Sequence, residues 1–285
     1  MDIAQTVVYG VVLGSILSLG AIGVSLTFGI LRFANFAHGD LMTLGAYLAF
    51  TSFATWHWPM PASFALAAGG TTLAALAIDR LVFRQLRQRP PVILLISSFG
   101  IATIIRSLVQ IIWGPDTQTY KTGIQLPVTI AGLRIKPDQI AIVVGAFALA
   151  LSLHLFLQYT PIGKAMRATA DNVDLARVTG IDTERIVMWT WMLGAVMACA
   201  AGLFLGLDTR LHPTMGWRLL LSIFAAAILG GIGKPYGAIA GGMVVGLSQE
   251  LSTFFVSPAY KEAVAFVILV IMLIVRPTGL FGGRS

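Results

Sequence analysis

Apolar residues fill this chain in runs of about twenty, broken by short polar stretches, and that pattern predicts a series of membrane-spanning helices. The runs cover about Thr6 to Leu31, Leu41 to Thr55, Ala62 to Phe83, Val92 to Trp113, Gln139 to Leu157 and Ile186 to Leu207. The stretch from Leu219 to Val256 is too long for one span and carries a glycine-rich break at 230–237. A last run covers Ala263 to Val275. The expectation is an all-α polytopic membrane protein with about eight transmembrane helices, some broken or re-entrant. Residues 1–285 then form a single transmembrane domain, because no polar stretch is long enough for a soluble one.

The longest polar stretch is Thr160 to Arg185, TPIGKAMRATADNVDLARVTGIDTER. It reads as one helix with its own punctuation. Thr160 suits the N-cap, Pro161 the first helical position, and Gly180 the end. Ile162, Met166, Val173 and Ala176 fall on or near one face, with Ala165, Ala168 and Ala170 alongside. Such a face suits a groove in another protein. Periodicity alone equally allows a solvated helix that only links two spans.

Charge sets the expected topology. The chain is 57% hydrophobic and 11% charged, against roughly 25% charged for a soluble domain. Arg80, Arg84, Arg87 and Arg89 crowd one short loop, which marks it as cytoplasmic. Residues 114–137 are polar and turn-rich, with only Lys121, Arg134 and Lys136 as bases, so that loop is expected outside. Parity then puts 160–185 inside, the N-terminus outside, and the C-terminus, with Arg276 and Arg284, inside. The net charge of +7 is topological and implies no nucleic acid, since no aromatic-and-basic surface accompanies it. The N-terminus lacks the basic region and cleavage site of a signal peptide. The single Cys199 lies in an apolar run and reads as a small packing residue.

Two irregular stretches carry candidate chemistry. FANFAHGD, residues 33–40, places Asn35, His38 and Asp40 between apolar runs, where polar groups must meet each other, backbone or water. Gly39 permits a helix break there that would line a substrate path; a plain capped turn is the other reading. GGIGKPYGAIAGG, residues 230–242, is the second. Gly230, Gly231 and Gly233 suit a hinge, while Gly237 with Gly241, and Gly242 with Gly246, are spaced for tight helix crossing. It is no phosphate-binding loop, because Lys234 is followed by Pro and Ile228 stands where the first glycine belongs. Arg106 is expected to snorkel outward. Glu250, within an apolar run, is a candidate intramembrane acid. One His and one Asp two residues apart make a poor metal site, and no nucleophile–base pair is evident. No cofactor or metal is expected.

Four stretches together carry a family resemblance. They are TFGILRFANFAHGDLMTLGAY (27–47), GKAMRATADNVDLARVTGIDTERI (163–186), AAAILGGIGKPYGAIAGG (225–242) and AYKEAVAFVILVIMLIVRPTGLFG (259–282). The chain resembles the LivH-type permeases of bacterial branched-chain amino acid ABC importers over nearly its whole length. The resemblance implies an inner-membrane permease that pairs with a second, related permease. Two cytoplasmic ATP-binding subunits drive it, and a periplasmic binding protein delivers the substrate. It implies that 160–185 docks into the ATPase through Gly163, Arg167, Ala168, Asp171, Ala176, Arg177 and Gly180. It also places Asn35, His38, Gly39 and Asp40, with Gly230, Gly231 and Gly233, along the translocation path. Branched-chain or other small amino acids are the implied cargo; relatives for urea, amides or aromatic acids, and a self-sufficient secondary transporter, are the alternatives. One departure stands out: the family's acid falls one position earlier, where this chain has Gln249 before Glu250.

Overall fold

A computed structural model describes residues 3–120, 127–130, 132–276 and 278–281. The expectations placed on Lys121 and Arg284 fall outside these residues. Proline opens many of the helices. Its fixed φ and missing N–H cost nothing in a first turn, and Pro61, Pro91, Pro137, Pro161 and Pro235 all stand there. The elements are α1 (Ile3–Leu31), α2 (Ala37–Thr55), α3 (Met60–Leu86, with a wider π turn at Asp79–Phe83), α4 (Pro91–Trp113) and a hairpin of β1 (Val128–Ile130) with β2 (Leu133–Ile135). They continue with α5 (Pro137–Tyr159), α6 (Pro161–Asp171), α7 (Val173–Val178), α8 (Thr183–Asp208), α9 (Met215–Gly230), α10 (Pro235–Leu251) and α11 (Lys261–Val275).

Contacts between distant segments define two ends of the bundle. At one end the hairpin strand β2 meets the start of α1, through paired bonds between the Gln5 side chain and the Arg134 backbone, both 2.9 Å. Trp113 donates to Thr51 at this end, and the backbones of Gln118 and Leu211 pair. At the other end Arg32 reaches the carbonyl of Ala170, and Arg87 bonds Glu184. The backbone N–H of Leu280 also donates to Leu229 O there, beside the α9–α10 break. Six helices are long and apolar enough to cross a membrane. The alternation of ends requires the shorter α2, α9 and α10 to run between them as well. Among the described residues nine helices therefore alternate, because the Leu219–Val256 run is two antiparallel helices.

Small residues decide which helices touch most closely. α1 and α10 run antiparallel along a seam of Gly10, Gly14 and Ser18 against Gly246 and Gly242. A Cβ on Gly246 would overlap the Gly14 backbone. Ser18 closes the seam by donating to Ile239 O at 2.9 Å. Backbone contact of this kind supplies dispersion and weak polar attraction where lipid gives no hydrophobic drive. Gly237 and Gly241 make the equivalent approach to Gly230 and Ala226 of α9, so both spacings mark real crossings. α1 and α8 are the buried centre; α3, α4, α5 and α11 turn broad apolar faces outward.

Candidate functional site

The chain leaves α1 at Arg32, in the left-handed region with φ 58°, and runs through an irregular turn before α2 begins at Ala37. The break thus falls at 32–36, not at Gly39. His38, Gly39 and Asp40 are the first turn of α2. Asn35 organises that turn: its Oδ1 accepts from the Ala37 N–H at 3.1 Å and its carbonyl from the His38 N–H at 3.3 Å. The Phe36 N–H donates to Ser98 Oγ of α4 at 3.1 Å. Gly39 is glycine for proximity. A Cβ there would be 2.6 Å from Gly216 O at the start of α9, and the Gly216 N–H donates to Thr43 Oγ1 at 3.1 Å. Two helix starts, α2 and α9, therefore meet inside the bundle. His38 is buried against Gly23 of α1, and its Nε2 and the Asn35 Nδ2 have no partner among the described residues.

Asp40 is the centre of this junction. Its side chain is fully buried, and Arg106 of α4 grips it side-on, Nε to Oδ1 and Nη2 to Oδ2, both at 3.0 Å. The guanidinium lies 4.6 Å from the ring centroid of Trp217. Phe99 packs edge-on to Trp217 at 5.4 Å and stacks on Phe36 at 4.4 Å. Arg106 does not snorkel. A bidentate charge-assisted pair in a low-dielectric setting outweighs the reach to the interface. Sequence reasoning missed the pair because its members are 66 residues apart. The available signal was an Arg and an Asp each left without a partner inside apolar runs.

The glycine break is elsewhere. α9 carries the chain from Gly216 at the junction to Gly230, a length of roughly 20 Å. Gly231 and Gly233 then adopt φ of 102° and 82°, which only glycine takes easily. Lys234 pins the turn by donating to Phe281 O at 2.7 Å. The structure does not bring Gly230, Gly231 and Gly233 beside Asn35–Asp40. Glu250 is not a lone membrane acid either: both its oxygens bond Lys261 at 2.7 Å, at the hairpin end. The neighbouring Gln249 is buried and bonds Ser222 and the Lys261 carbonyl. Cys199 is buried, packed where a Cβ on Gly45 would go. Among the described residues no group of three His, Cys, Asp or Glu could hold a metal.

The polar segment at the arginine-rich end is two helices, not one. Thr160 caps α6 by accepting from the Gly163 N–H at 3.0 Å. At Asn172 the backbone turns extended (φ −152°), and the Asn172 side chain caps α7 by accepting from Asp174 and Leu175 N–H at 3.0 Å. An Asn offers its own backbone this alternative to helix, which the periodicity overlooked. Gly180 ends α7 at φ 85°, and Asp182 caps α8. Gly163 is pressed on the backbone of Phe156 and Leu157. Met166, Thr169 and Ala176 are buried, and Ile162 and Val173 half-buried. The apolar face thus packs on the chain itself, and Ala176 supports the segment from beneath. What faces outward is Arg167, Ala168, Asp171 and Arg177, with Leu175 61% and Val178 84% exposed. Arg84 and Arg87 bind Glu184, and Arg87 also binds Asp79 at 2.6 Å, fastening α3 to α8 behind the segment.

The comparisons with known proteins decide what this arrangement belongs to. A model of the branched-chain amino acid transport system permease component matches residues 6–273. The high-affinity branched-chain amino acid permease LivH of Salmonella typhimurium is 32% identical, over 98% of this chain and 95% of that protein. The chain belongs to the branched-chain amino acid transport permease family. BraD of Pseudomonas aeruginosa, also a high-affinity branched-chain amino acid permease, is 31% identical over 98% and 95%. Among solved structures, PsaBC from Streptococcus pneumoniae in complex with a Fab superposes with TM-score 0.56 at 12% identity, over 99% and 94% of the two chains; it shares the fold. As a family member the chain is the membrane subunit of an ABC importer, a multi-pass inner-membrane protein and not an enzyme.

Proposed function

We propose that this permease moves branched-chain or other small amino acids inward, together with a second, related permease. Two cytoplasmic ATP-binding subunits energise it, and a periplasmic binding protein loads it. The relatives' names support the cargo, and the geometry supports the division of labour. The arginine-rich end faces the cytoplasm, because Arg32, Arg84, Arg87 and Arg177 gather there. The N-terminus and the hairpin then face the periplasm. The α9–α10 break with Gly230, Gly231 and Gly233 is a cytoplasmic joint, and the Asn35–Asp40 junction is part of the path.

The observation that carries this reading is the α6–α7 pair. It is capped at every end and anchored by Gly163, yet leaves Ala168, Leu175 and Val178 uncovered. A rigid, outward apolar ridge fits a cleft in the ATPase, and Arg167 and Arg177 flank it to set register. The testing experiment is Ala168→Trp in the reconstituted complex. The expected result is normal assembly with the sister permease, but loss of substrate-stimulated ATP hydrolysis or of uptake. Normal stimulated hydrolysis and normal uptake in that variant would show that the ridge touches no partner.

A further inference from the structure

Arg106 has a second surface. Its two bonds to Asp40 use Nε and Nη2, which leaves Nη1 outside the pair. The side chain is 23% exposed although Asp40 is 0% exposed. Arg106 is about 22 Å along α4 from Pro91 and about 10 Å from Trp113, so this part-exposed side chain is at bilayer depth. Lipid cannot cover a guanidinium there without heavy cost. Beside it, Phe99, Trp217 and Phe36 form a continuous aromatic wall that joins α4, α9 and the broken start of α2.

We propose that Arg106 and this wall form a transient substrate subsite on the translocation path. The ligand class is an α-amino acid with an apolar side chain. The remaining fork of the guanidinium receives the carboxylate, and the aromatic wall receives the side chain. Asp40 is the positioning residue that clamps the fork from behind. It also makes the pair neutral overall, so the carboxylate is held weakly enough to leave, as passage requires. The chemistry selects against urea and amides, which bring no carboxylate to the fork. The proposal rests on the amino-acid importer reading and refines it.

The test uses the complete complex in proteoliposomes, with L-leucine as probe, in a Cys199→Ala background. Wild-type leucine uptake checks the importer reading; its absence sinks that reading before the subsite is addressed. Two variants then address the subsite. The paired change Asp40→Asn with Arg106→Gln removes both charges and keeps a polar pair. The expected result is normal assembly and stimulated ATP hydrolysis, with leucine uptake reduced at least tenfold. Uptake restored to near wild type would show the pair to be structural only and overturn the subsite. Should the double variant fail to assemble, Thr103→Cys decides. Thr103 is exposed on α4, one turn before Arg106. It is expected to transport normally, to react with a water-soluble thiol reagent, and to be protected by L-leucine in the complex trapped with ATP. Normal uptake with no labelling, or labelling that leucine leaves unchanged, would overturn the subsite while the importer reading stands.

Discussion

The Asp40 junction and the α6–α7 segment are both polar interruptions of an apolar chain, yet they are built in opposite ways. The junction is held by groups far apart in sequence: Arg106 on Asp40, Gly216 on Gly39, Ser98 on Phe36. The segment is shaped mainly by groups a few residues away, Thr160 on Gly163, Asn172 on Leu175 and Asp182 on Arg185, with Arg32 on Ala170 and Arg87 on Glu184 as its ties to distant helices. Inside the bilayer no water can satisfy a broken backbone, so neighbouring helices must do it. At the arginine-rich end of the bundle water covers any defect, and local caps suffice. The first region therefore loses fold when damaged, and the second loses only its local order or its partner.

The largest effect should come from Asp40→Ala. It leaves the part-buried Arg106 guanidinium without the buried acid that holds it; removing one member of a fully buried pair costs about 3–5 kcal/mol, and the exposed part of Arg106 lowers that figure. A thermal melt of the purified permease in detergent should show a markedly lower midpoint; an unchanged midpoint would mean that water already solvates Arg106. Gly216→Ala comes next, because its Cβ would overlap the Gly39 carbonyl. Overpacking of this kind costs about 1–3 kcal/mol, and the same melt reads it.

Thr160→Ala and Asn172→Ala should each cost about 1 kcal/mol through a lost cap. Hydrogen exchange should quicken across 161–178 while α1 and α8 keep their protection. Quickening throughout the bundle would break the contrast between the two regions. The smallest effect on stability is expected from Val178→Ser at an exposed site, within about 0.5 kcal/mol. Its signature is instead weaker binding of the ATPase in a pull-down of the assembled complex. Single cysteines at Gln88 and Thr119 sharpen the frame in which all of this is placed. In intact cells an impermeant thiol reagent should label Thr119→Cys and spare Gln88→Cys, and the reverse would invert the assignment of ends.

What could be read from the sequence was whatever physics acts within a few residues. Twenty-residue apolar runs fixed the helices, since only a helix satisfies its backbone in lipid. Pro161 and Thr160 marked the start of α6, and Gly180 the end of α7. Gly231 and Gly233 broke the Leu219–Val256 run at the expected place, because other residues resist positive φ. The spacings Gly237–Gly241 and Gly242–Gly246 marked tight crossings correctly. Asn172 was the local signal passed over: its cap divides the segment that periodicity reads as one helix.

Tertiary structure decided everything that depends on direction and depth. A helical period shows that Met166 and Ala176 share an apolar face, but it cannot say whether that face meets a partner or the chain's own bundle. It meets the bundle, because Gly163 presses α6 flat on the end of α5. Spacing showed Arg106 near the end of an apolar run; only the convergence of α2, α4 and α9 supplied the acid that holds it at depth. It also separated two glycine-bearing breaks that resemble each other in sequence, by placing one at each end of α9. Hydrogen bonds and packing contacts act only over a few ångströms, so groups distant in the chain make them only once the fold has brought them together.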